Sequence, residues 1–185
     1  MTVEPIRDMD KINQMYSYLM NKNAKYGLLF KFGLNTGLRI SDILPLKLEN
    51  VICNGHFKEY LTLIERKTGK EKKIKLNRSL CNELNNYVLK EKLTSGSYLF
   101  WSRKGTHFDR VQAYRILKEA AKYVGIENFG THSLRKTWGY WTYKLSNHNI
   151  GLIMDTFNHS SQSVTLRYIG ISQDQKDELY TLVQF

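Results

Sequence analysis

NHSSQSVTLRYIG, residues 158–170, is the stretch that decides the fold of this chain of 185 residues. It places a histidine, His159, nine residues before a tyrosine, Tyr168. Taken alone, each of these residues has an ordinary explanation. His159 can cap the following helix or lie exposed, and Tyr168 is one of twelve tyrosines, most of which we expect to pack in the core. The stretch therefore has to be interpreted together with the rest of the chain.

Three further short segments precede it and carry charged or histidine side chains. They are TGLRISD (36–42), RKTGK (66–70) and THSLRK (131–136). Separately, Arg39 fits a surface salt bridge and Lys67 fits a solvated turn. His132 and Arg135 are three residues apart, so a helix would place them on one face, which also suits a capping histidine beside an exposed arginine. Only their order and spacing along the chain favour a shared site.

Taken together, the four segments resemble the catalytic domain of the tyrosine recombinase (phage integrase) family. The family signature is an arginine in a TGLR-type turn, a hairpin lysine, an HxxR motif, and a histidine nine residues before a tyrosine. The resemblance covers nearly the whole chain, and residues 158–170 are its most specific part. The signature and a supporting acidic position fall on Arg39, Asp42, Lys67, His132, Arg135, His159 and Tyr168.

The hairpin lysine is the position whose register stays open. Lys67 takes the family position, but the same hairpin also contains Lys70, Lys72 and Lys73, and Arg66 is adjacent. Register within a loop cannot be fixed from the sequence alone.

Two arginines suit the chemistry that the resemblance implies. Nucleophilic attack on a phosphodiester adds negative charge to the non-bridging oxygens of the phosphorus. Arg39 and Arg135 can each offer planar paired donors to those oxygens, which stabilises the charge without a metal ion. His159 would hydrogen-bond a phosphate oxygen, and Asp42 would hold Arg39 or its neighbourhood in place.

Tyr168 would be the nucleophile of this reaction. A tyrosine hydroxyl has a pKa of about 10, so it attacks poorly at neutral pH unless a proton acceptor or a positive field assists it. His132 is the expected base, and Lys67 would be the general acid that protonates the departing 5′ oxygen. The resemblance implies a covalent 3′-phosphotyrosine intermediate, and it implies that no ATP, metal or other cofactor takes part.

The resemblance also implies partners. Double-stranded DNA is the expected substrate, and in the family four protomers assemble on two duplexes and exchange strands through a Holliday junction. A terminal helix near residues 174–185 would then dock on a neighbouring protomer. The side chains suited to that contact are Leu179, Leu182, Val183 and Phe185, and packing on their own domain is the alternative.

The composition agrees with a nucleic-acid partner. Lys and Arg total 28 against 17 Asp and Glu, a formal net charge of +11 that suits a polyanion, with a solubilising surface as the alternative. Apolar runs are short and interrupted by charge, so we expect no membrane span, and the N-terminus lacks the apolar core of a secretory signal. Cys53 and Cys81 lack metal-ligand spacing, and we expect free thiols in a reducing cytoplasm, with one disulfide as the alternative.

The periodicity of apolar residues predicts a mainly α domain with a small antiparallel β-sheet, an α+β fold. Ser41 is predicted to cap a helix with Pro45 near its first turn. The RKTGK turn is predicted to join two strands within residues 51–76. Further helices are predicted within 8–31, with a second one beginning at 26–32, at 79–92 and 110–124, from about 131, 149 and 161, and at the C-terminus.

Residues 1–185 are predicted to form a single catalytic domain. Typical family members carry an N-terminal core-binding domain that clamps the opposite face of the DNA, and only 38 residues precede Arg39 here. We therefore expect this clamp domain to be absent, whether the chain is a fragment or a natural short form. A chain without the clamp should bind DNA weakly by itself.

The leading interpretation is a site-specific recombinase that integrates or otherwise rearranges mobile DNA. Two other functions are alternatives to it. The first is a non-catalytic DNA-binding regulator that retains the fold, although a pure binder has no need of the complete residue set. The second is an RNA-binding or structural basic domain in which the set is coincidental. A further group of basic residues lies near Phe100 and Trp101 and comprises Arg103, Lys104 and Arg110. These side chains either contact phosphates along the DNA backbone or form a solvated face.

Overall fold

The structure is a computed structural model that describes residues 3–171, 180–182 and 184. The helices within these residues are α1 (Met9–Lys22), α2 (Ala24–Thr36), α3 (Ile40–Ile43), α4 (Leu48–Val51), α5 (Arg78–Glu91), α6 (Arg110–Tyr123), α7 (Thr131–Leu145), α8 (Ile150–Phe157) and α9 (Gln162–Tyr168). The strands are β1 (Ile52–Cys53), β2 (His56–Phe57), β3 (Tyr60–Ile64) and β4 (Glu71–Lys75). This mainly helical architecture with antiparallel strands confirms the predicted fold class.

A helical hairpin of α1 and α2 begins the domain. Asp8 caps α1 by accepting hydrogen bonds from two backbone N–H groups of its first turn, and Asn23 caps α2 by accepting one from the backbone N–H of Lys25. α2 ends at Thr36 and is capped by Gly37, whose φ of 61° is a left-handed conformation that favours glycine. The turn at Gly37 redirects the chain, so that Arg39 follows it directly at the start of α3.

The start of α3 differs from the prediction. Ser41 is not the cap of this helix, because Arg39 occupies the N-cap position and α3 is a single turn. Pro45 lies beyond the end of α3 rather than in its first turn. Proline has no backbone N–H, so Pro45 cannot donate the bond to the Ser41 carbonyl that would extend the helix. The prediction of a helix capped by Ser41, with Pro45 near its first turn, was therefore wrong.

Two separate two-stranded antiparallel sheets occur in the described part of the chain, where the sequence predicted one. β1 pairs with β2, and β3 pairs with β4 in a register that sets Leu63 opposite Lys72. The predicted hairpin turn joins β3 to β4, with Gly69 at a φ of 67°. Because side chains alternate along a strand, Leu61 and Glu65 face the same way, and both are buried.

A second apolar cluster beside the main core positions the end of the described chain. Ile153 and Phe157 of α8 pack with Ile169, which follows α9. Trp138 of α7 and Tyr168 of α9 pack against this cluster. Tyr168 is therefore held by apolar contacts between three helices rather than carried on a free segment.

Features at the periphery bear on the other structural predictions. Among the described helices, none combines the length and the apolar character that a membrane crossing requires. Cys53 and Cys81 are free thiols. In the predicted C-terminal helix, residues 180–182 are helical and Leu182 is exposed, whereas Leu179, Val183 and Phe185 lie outside the described residues. That the chain is a single catalytic domain without a clamp domain stays a prediction.

Candidate active site

An open cleft of about 720 Å³ lies where α3, the β3–β4 hairpin, α6 and the first turn of α7 meet. Arg39, Lys67, His132 and Arg135 line this cleft, so four of the predicted site residues come together from three distant segments. Arg110 of α6 lies on the same wall. The charged side chains of the wall are all basic, which suits the binding of an anion.

Arg39 reaches the cleft from the turn that follows α2. Its Nη1 donates a hydrogen bond to Oε1 of Glu65 at 2.9 Å, and its side chain is largely buried. Glu65 is fully buried at the end of β3. Burial raises the pKa of Glu65, but the hydroxyl of Thr68 and the charges of Lys72 and Arg39 reverse this effect and leave the pKa below its usual value. The carboxylate therefore stays charged beside the guanidinium.

Arg135 lies deeper, on the first turns of α7, and only 2% of it is exposed. Its Nη1 donates to the carbonyl oxygen of Gly37 at 2.6 Å, and its guanidinium carbon lies 4.3 Å from the centre of the Phe157 ring. Its Nη2 is buried and has no hydrogen-bond partner among the described residues. A buried charged donor without a partner is costly, and a phosphate oxygen in the cleft would satisfy it.

Tyr168 and His132 face each other at the edge of this cleft. The Tyr168 hydroxyl oxygen lies 3.5 Å from Nδ1 of His132, at the outer limit of a hydrogen bond. Burial lowers the pKa of His132, and the charges of Arg135 and Arg39 lower it further, so the ring is neutral at pH 7 and able to accept a proton. Burial raises the pKa of Tyr168, and the same two arginines only partly offset this rise.

His159 packs against the nucleophile candidate from the other side. Its ring centre lies 5.0 Å from that of Tyr168 and 5.4 Å from that of Phe157. Its Nδ1 lies 3.1 Å from the hydroxyl oxygen of Thr165, which is fully buried in α9. Burial, followed by the charges of Arg135 and Arg39, lowers the pKa of His159. The ring is thus fixed in orientation and close to both arginines.

Asp42 supports the hairpin rather than Arg39 directly. Its Oδ1 accepts a hydrogen bond from the backbone N–H of Arg66 at 3.0 Å, and the side chain is almost fully buried. The two residues belong to α3 and to the hairpin turn, so Asp42 fixes the base of that turn against the helix. Lys67, the next residue, is exposed and reaches the cleft.

The hairpin lysines differ in their surroundings. Within this fully described hairpin, Lys67 lines the cleft, whereas Lys70 donates to Oδ1 of Asn158 at 3.3 Å. Lys72 is half-buried, with its Nζ 3.7 Å from Oε1 of Glu65, and burial together with the charges of Arg135 and Arg39 lowers its pKa. These positions favour Lys67 as the lysine that meets a ligand in the cleft.

Glu65 and Thr165 are site residues that the sequence reasoning missed, and Lys72 entered it only as an alternative to Lys67. A signal for Glu65 was present, because it lies two and four residues after Leu63 and Leu61 on the inward face of a strand. An acidic residue at an inward position needs a buried cationic partner.

The basic residues predicted near Phe100 and Trp101 are divided between two sites. Arg110 lines the cleft, whereas Arg103 and Lys104 line a separate cavity of about 480 Å³ beside Trp101.

Comparison with known proteins places the chain in a family. The model of the phage integrase family matches residues 7–175. The chain belongs to the phage integrase family. The probable integrase/recombinase YoeC of Bacillus subtilis is 44% identical over 179 residues, which cover 96% of this chain and 95% of YoeC. The tyrosine recombinase XerA of Pyrococcus furiosus is 30% identical over 167 residues, which cover 88% of this chain and 56% of XerA.

Solved structures agree with this membership. The crystal structure of XerA recombinase superposes with a TM-score of 0.76 at 19% identity, covering 98% of this chain and 67% of that one. The XerH recombinase in its post-cleavage complex gives a TM-score of 0.74 at 18% identity, covering 92% and 50%. The fold is the tyrosine recombinase catalytic domain, and the chain spans about half the length of the Xer relatives. The predicted family and enzyme class, a tyrosine-type site-specific recombinase, are confirmed. The roles of individual residues remain predictions.

Proposed function

We propose that this chain cleaves and rejoins double-stranded DNA at specific sites, with Tyr168 as the nucleophile and a 3′-phosphotyrosine as the intermediate. One observation carries the proposal: the Tyr168 hydroxyl faces a neutral histidine that lines a basic cleft, and the same cleft is lined by a buried arginine whose Nη2 has no hydrogen-bond partner among the described residues. Solved relatives bound to their DNA support the choice of substrate. They are XerH on difH and lambda integrase on a core site and, as a tetramer, on a Holliday junction.

The first step is attack by the Tyr168 oxygen on the scissile phosphorus. His132 accepts the phenolic proton through Nδ1, so that a tyrosine with a raised pKa becomes a competent nucleophile at neutral pH. The new bond joins the Tyr168 oxygen to phosphorus, and the bond that breaks joins phosphorus to the 5′ oxygen of the next nucleotide. Arg135 and Arg39 bind the non-bridging oxygens, whose negative charge grows as the fifth bond forms.

The departing 5′ oxygen requires a proton to leave as a hydroxyl. Lys67 donates it, because its ammonium group is carried on the exposed hairpin tip at the mouth of the same cleft. His159 donates a hydrogen bond to a phosphate oxygen once the anion is bound. Its contact with the buried hydroxyl of Thr165 holds the ring in the orientation that this contact requires.

Rejoining is the same step in reverse with a different strand. A 5′ hydroxyl from the second strand attacks the phosphotyrosine, Lys67 accepts its proton, and His132 returns a proton to the Tyr168 oxygen. One phosphoester bond is made for each one broken in both steps. Arg39 and Arg135, together called the arginine clamp, stabilise the charge, and the phosphotyrosine stores the bond energy. The cycle therefore requires neither a metal nor ATP.

DNA binding and assembly extend the proposal. The net charge of +11 and the basic wall of the cleft support binding along a phosphate backbone, so affinity should fall steeply with salt. Self-association on DNA through the C-terminal helix, up to a tetramer, is part of the proposal, with exposed Leu182 as one contact. In a bacterial or phage host the site of action would be the cytoplasm.

Covalent trapping tests the proposal and selects the DNA site in the same experiment. The full chain is incubated with a pool of nicked duplexes that carry a randomised segment. After cleavage the short fragment beside the nick diffuses away, which leaves the protein attached to DNA. Attached DNA is recovered under denaturing conditions and sequenced, and the enriched duplex serves in later assays as the suicide substrate.

We expect attachment by the wild-type chain and none by Tyr168→Phe. Tyr114→Phe is the matched control, because Tyr114 lines the same cleft but lacks a histidine acceptor, so attachment should persist. Attachment that survives in Tyr168→Phe contradicts the assignment of the nucleophile. DNA binding without attachment by the wild-type chain supports the non-catalytic regulator instead. Cleavage that stops on adding a chelator contradicts the arginine-based mechanism.

A further inference from the structure

Glu65 is a buried carboxylate to which the reaction as described assigns no role. Both of its oxygens have partners: Oε1 accepts from Nη1 of Arg39 at 2.9 Å and lies 3.7 Å from Nζ of Lys72. Oε2 accepts from the hydroxyl of Thr68 at 2.8 Å. A fully buried anion is costly to retain unless its partners satisfy it, and here all of them belong to the site. One side chain therefore joins the arginine clamp to the hairpin.

The hairpin turn is short, and backbone hydrogen bonds join its far end to Glu65. The Glu65 N–H donates to the carbonyl of Lys70 at 2.9 Å, and the Gly69 N–H donates to the Glu65 carbonyl at 2.8 Å. Residues 66–70 are all exposed, so no burial of side chains in the core fixes this turn. Its conformation depends on hydrogen bonds instead.

Lys67 lies between two tethered neighbours. The backbone N–H of Arg66, on one side, is bound by Oδ1 of Asp42. The hydroxyl of Thr68, on the other side, is bound by Oε2 of Glu65. Both tethers end on buried carboxylates, whereas the Lys67 side chain itself is exposed. The backbone of Lys67 is thus fixed on both sides while its ammonium group remains free to reach the cleft.

We propose that Glu65 is a positioning residue that holds the hairpin tip, and with it Lys67, against the arginine clamp. This inference rests on the proposed function, since it assumes that Lys67 protonates the leaving 5′ oxygen. Loss of the Glu65–Thr68 tether lets the tip move, so that the ammonium group of Lys67 is less often within reach of that oxygen. Misplacement of a catalytic group by about 1 Å lowers a rate by up to about 100-fold.

A change of leaving group separates this role from a general loss of structure. A duplex with sulfur in place of the bridging 5′ oxygen releases a thiolate, and a thiol has a pKa of about 8.5, so it leaves without a proton donor. Variants that act through Lys67 should be slow on the oxygen substrate and recover on the sulfur substrate. A folding defect, or damage confined to Arg39, slows both substrates alike.

The experiment compares Glu65→Gln, Thr68→Val and Thr68→Ser on both forms of the suicide duplex. On the oxygen substrate we expect Glu65→Gln and Thr68→Val to slow single-turnover attachment about 10- to 100-fold, and Thr68→Ser to retain the wild-type rate. On the sulfur substrate Thr68→Val should match the wild type, and the deficit of Glu65→Gln should shrink at least tenfold. Lys67→Ala should show the same recovery. Glu71→Gln, an exposed acid on the same hairpin, is the matched control.

The outcomes separate cleanly. Equal deficits of Glu65→Gln on the two substrates overturn the inference, as does a wild-type rate for Thr68→Val on the oxygen substrate. If Glu65→Gln does not fold, Thr68→Val carries the test alone, because the Thr68 side chain is exposed and Glu65 keeps Arg39 and Lys72 as charged partners. Absence of attachment by the wild-type chain on either substrate is a failure of the proposed function and is seen before any variant is compared.

Discussion

Replacement of Arg135 by lysine tests the arginine clamp most sharply. The native guanidinium uses Nη1 to bond the Gly37 carbonyl at 2.6 Å, and its Nη2 has no hydrogen-bond partner in the described part of the chain. Lysine preserves the positive charge but has a single nitrogen on an unforked stem. It cannot hold the Gly37 turn and also face a phosphate oxygen in the geometry of the native pair. The substitution therefore removes a donor without removing the charge.

The magnitudes follow from these two contacts, because the single nitrogen of lysine keeps neither in its native geometry. Loss of one preorganised donor to a charged transition state costs about 2.7–4 kcal/mol, a fall of about 10²–10³ in the rate of attachment. Loss of the charge-assisted bond to the Gly37 carbonyl costs about 1.5–3 kcal/mol of folding free energy. For a chain of this length such a loss lowers Tm by roughly 3–12 °C. The affinity for DNA should change little, because the charge is retained.

Single-turnover attachment to the suicide duplex measures the rate, and salt-dependent DNA binding and thermal unfolding measure the other two quantities. Arg115→Lys, at an exposed position on α6, is the matched control and should leave all three unchanged. An attachment rate for Arg135→Lys within about threefold of the wild type, a difference below about 1 kcal/mol, refutes the assignment of Arg135 to the transition state.

Other consequences of the structure are open to measurement. As the pH falls, the rate of attachment should stay at its maximum until below about 6.5, the ordinary histidine pKa, because burial lowers the pKa of His132 and only the neutral ring accepts a proton. A rate that is already half-maximal above about pH 6.5 contradicts this. Thr165→Val should slow attachment about tenfold by freeing the His159 ring, whereas Thr165→Ser should not; equal rates remove Thr165 from the site. Gly37→Ala should destabilise the fold by about 2–5 kcal/mol in urea unfolding, because a Cβ there strains a left-handed turn and lies 2.6 Å from the Trp138 ring; an unchanged midpoint refutes that packing.

Much of the site could be predicted because its chemistry is written in local segments. His132 and Arg135 share one turn of α7, and the spacing of His159 and Tyr168 is set by the turn and helix that join them. Helix starts could also be predicted, since the helix expected from about residue 149 begins at Ile150, with Asn149 as its cap. Local patterns suffice where neighbours in sequence are neighbours in space.

The predictions failed where contacts between residues far apart in the sequence determine the local structure. Ser41 has the chemistry of a helix cap, but the Gly37 turn places Arg39 at that position and Pro45 ends the helix after one turn. The ion pair between Arg39 and Glu65 joins residues 26 positions apart. No local sequence pattern predicts such a pair, although the inward position of Glu65 at the end of β3 indicated that it needs a buried partner.

The hairpin illustrates both limits. Its existence followed from strand periodicity and from the Thr-Gly turn, but the surroundings of its lysines did not. Lys67 lies in the turn and reaches the cleft, whereas the register of β3 against β4 sets Lys72 opposite Leu63 and half-buried beside Glu65. Register is fixed by burial of one face, which requires the rest of the fold.

The identity of the covalently attached residue and of its DNA terminus is the measurement that tests the mechanism most directly. The trapped complex is digested with protease and nuclease, and the remaining nucleotide–peptide conjugate is sequenced by mass spectrometry. The structure predicts a single conjugate, in which the Tyr168 oxygen carries a 3′-phosphate while the released strand ends in a 5′ hydroxyl. A conjugate on any other residue, or one linked through a 5′-phosphate, would contradict the proposed mechanism.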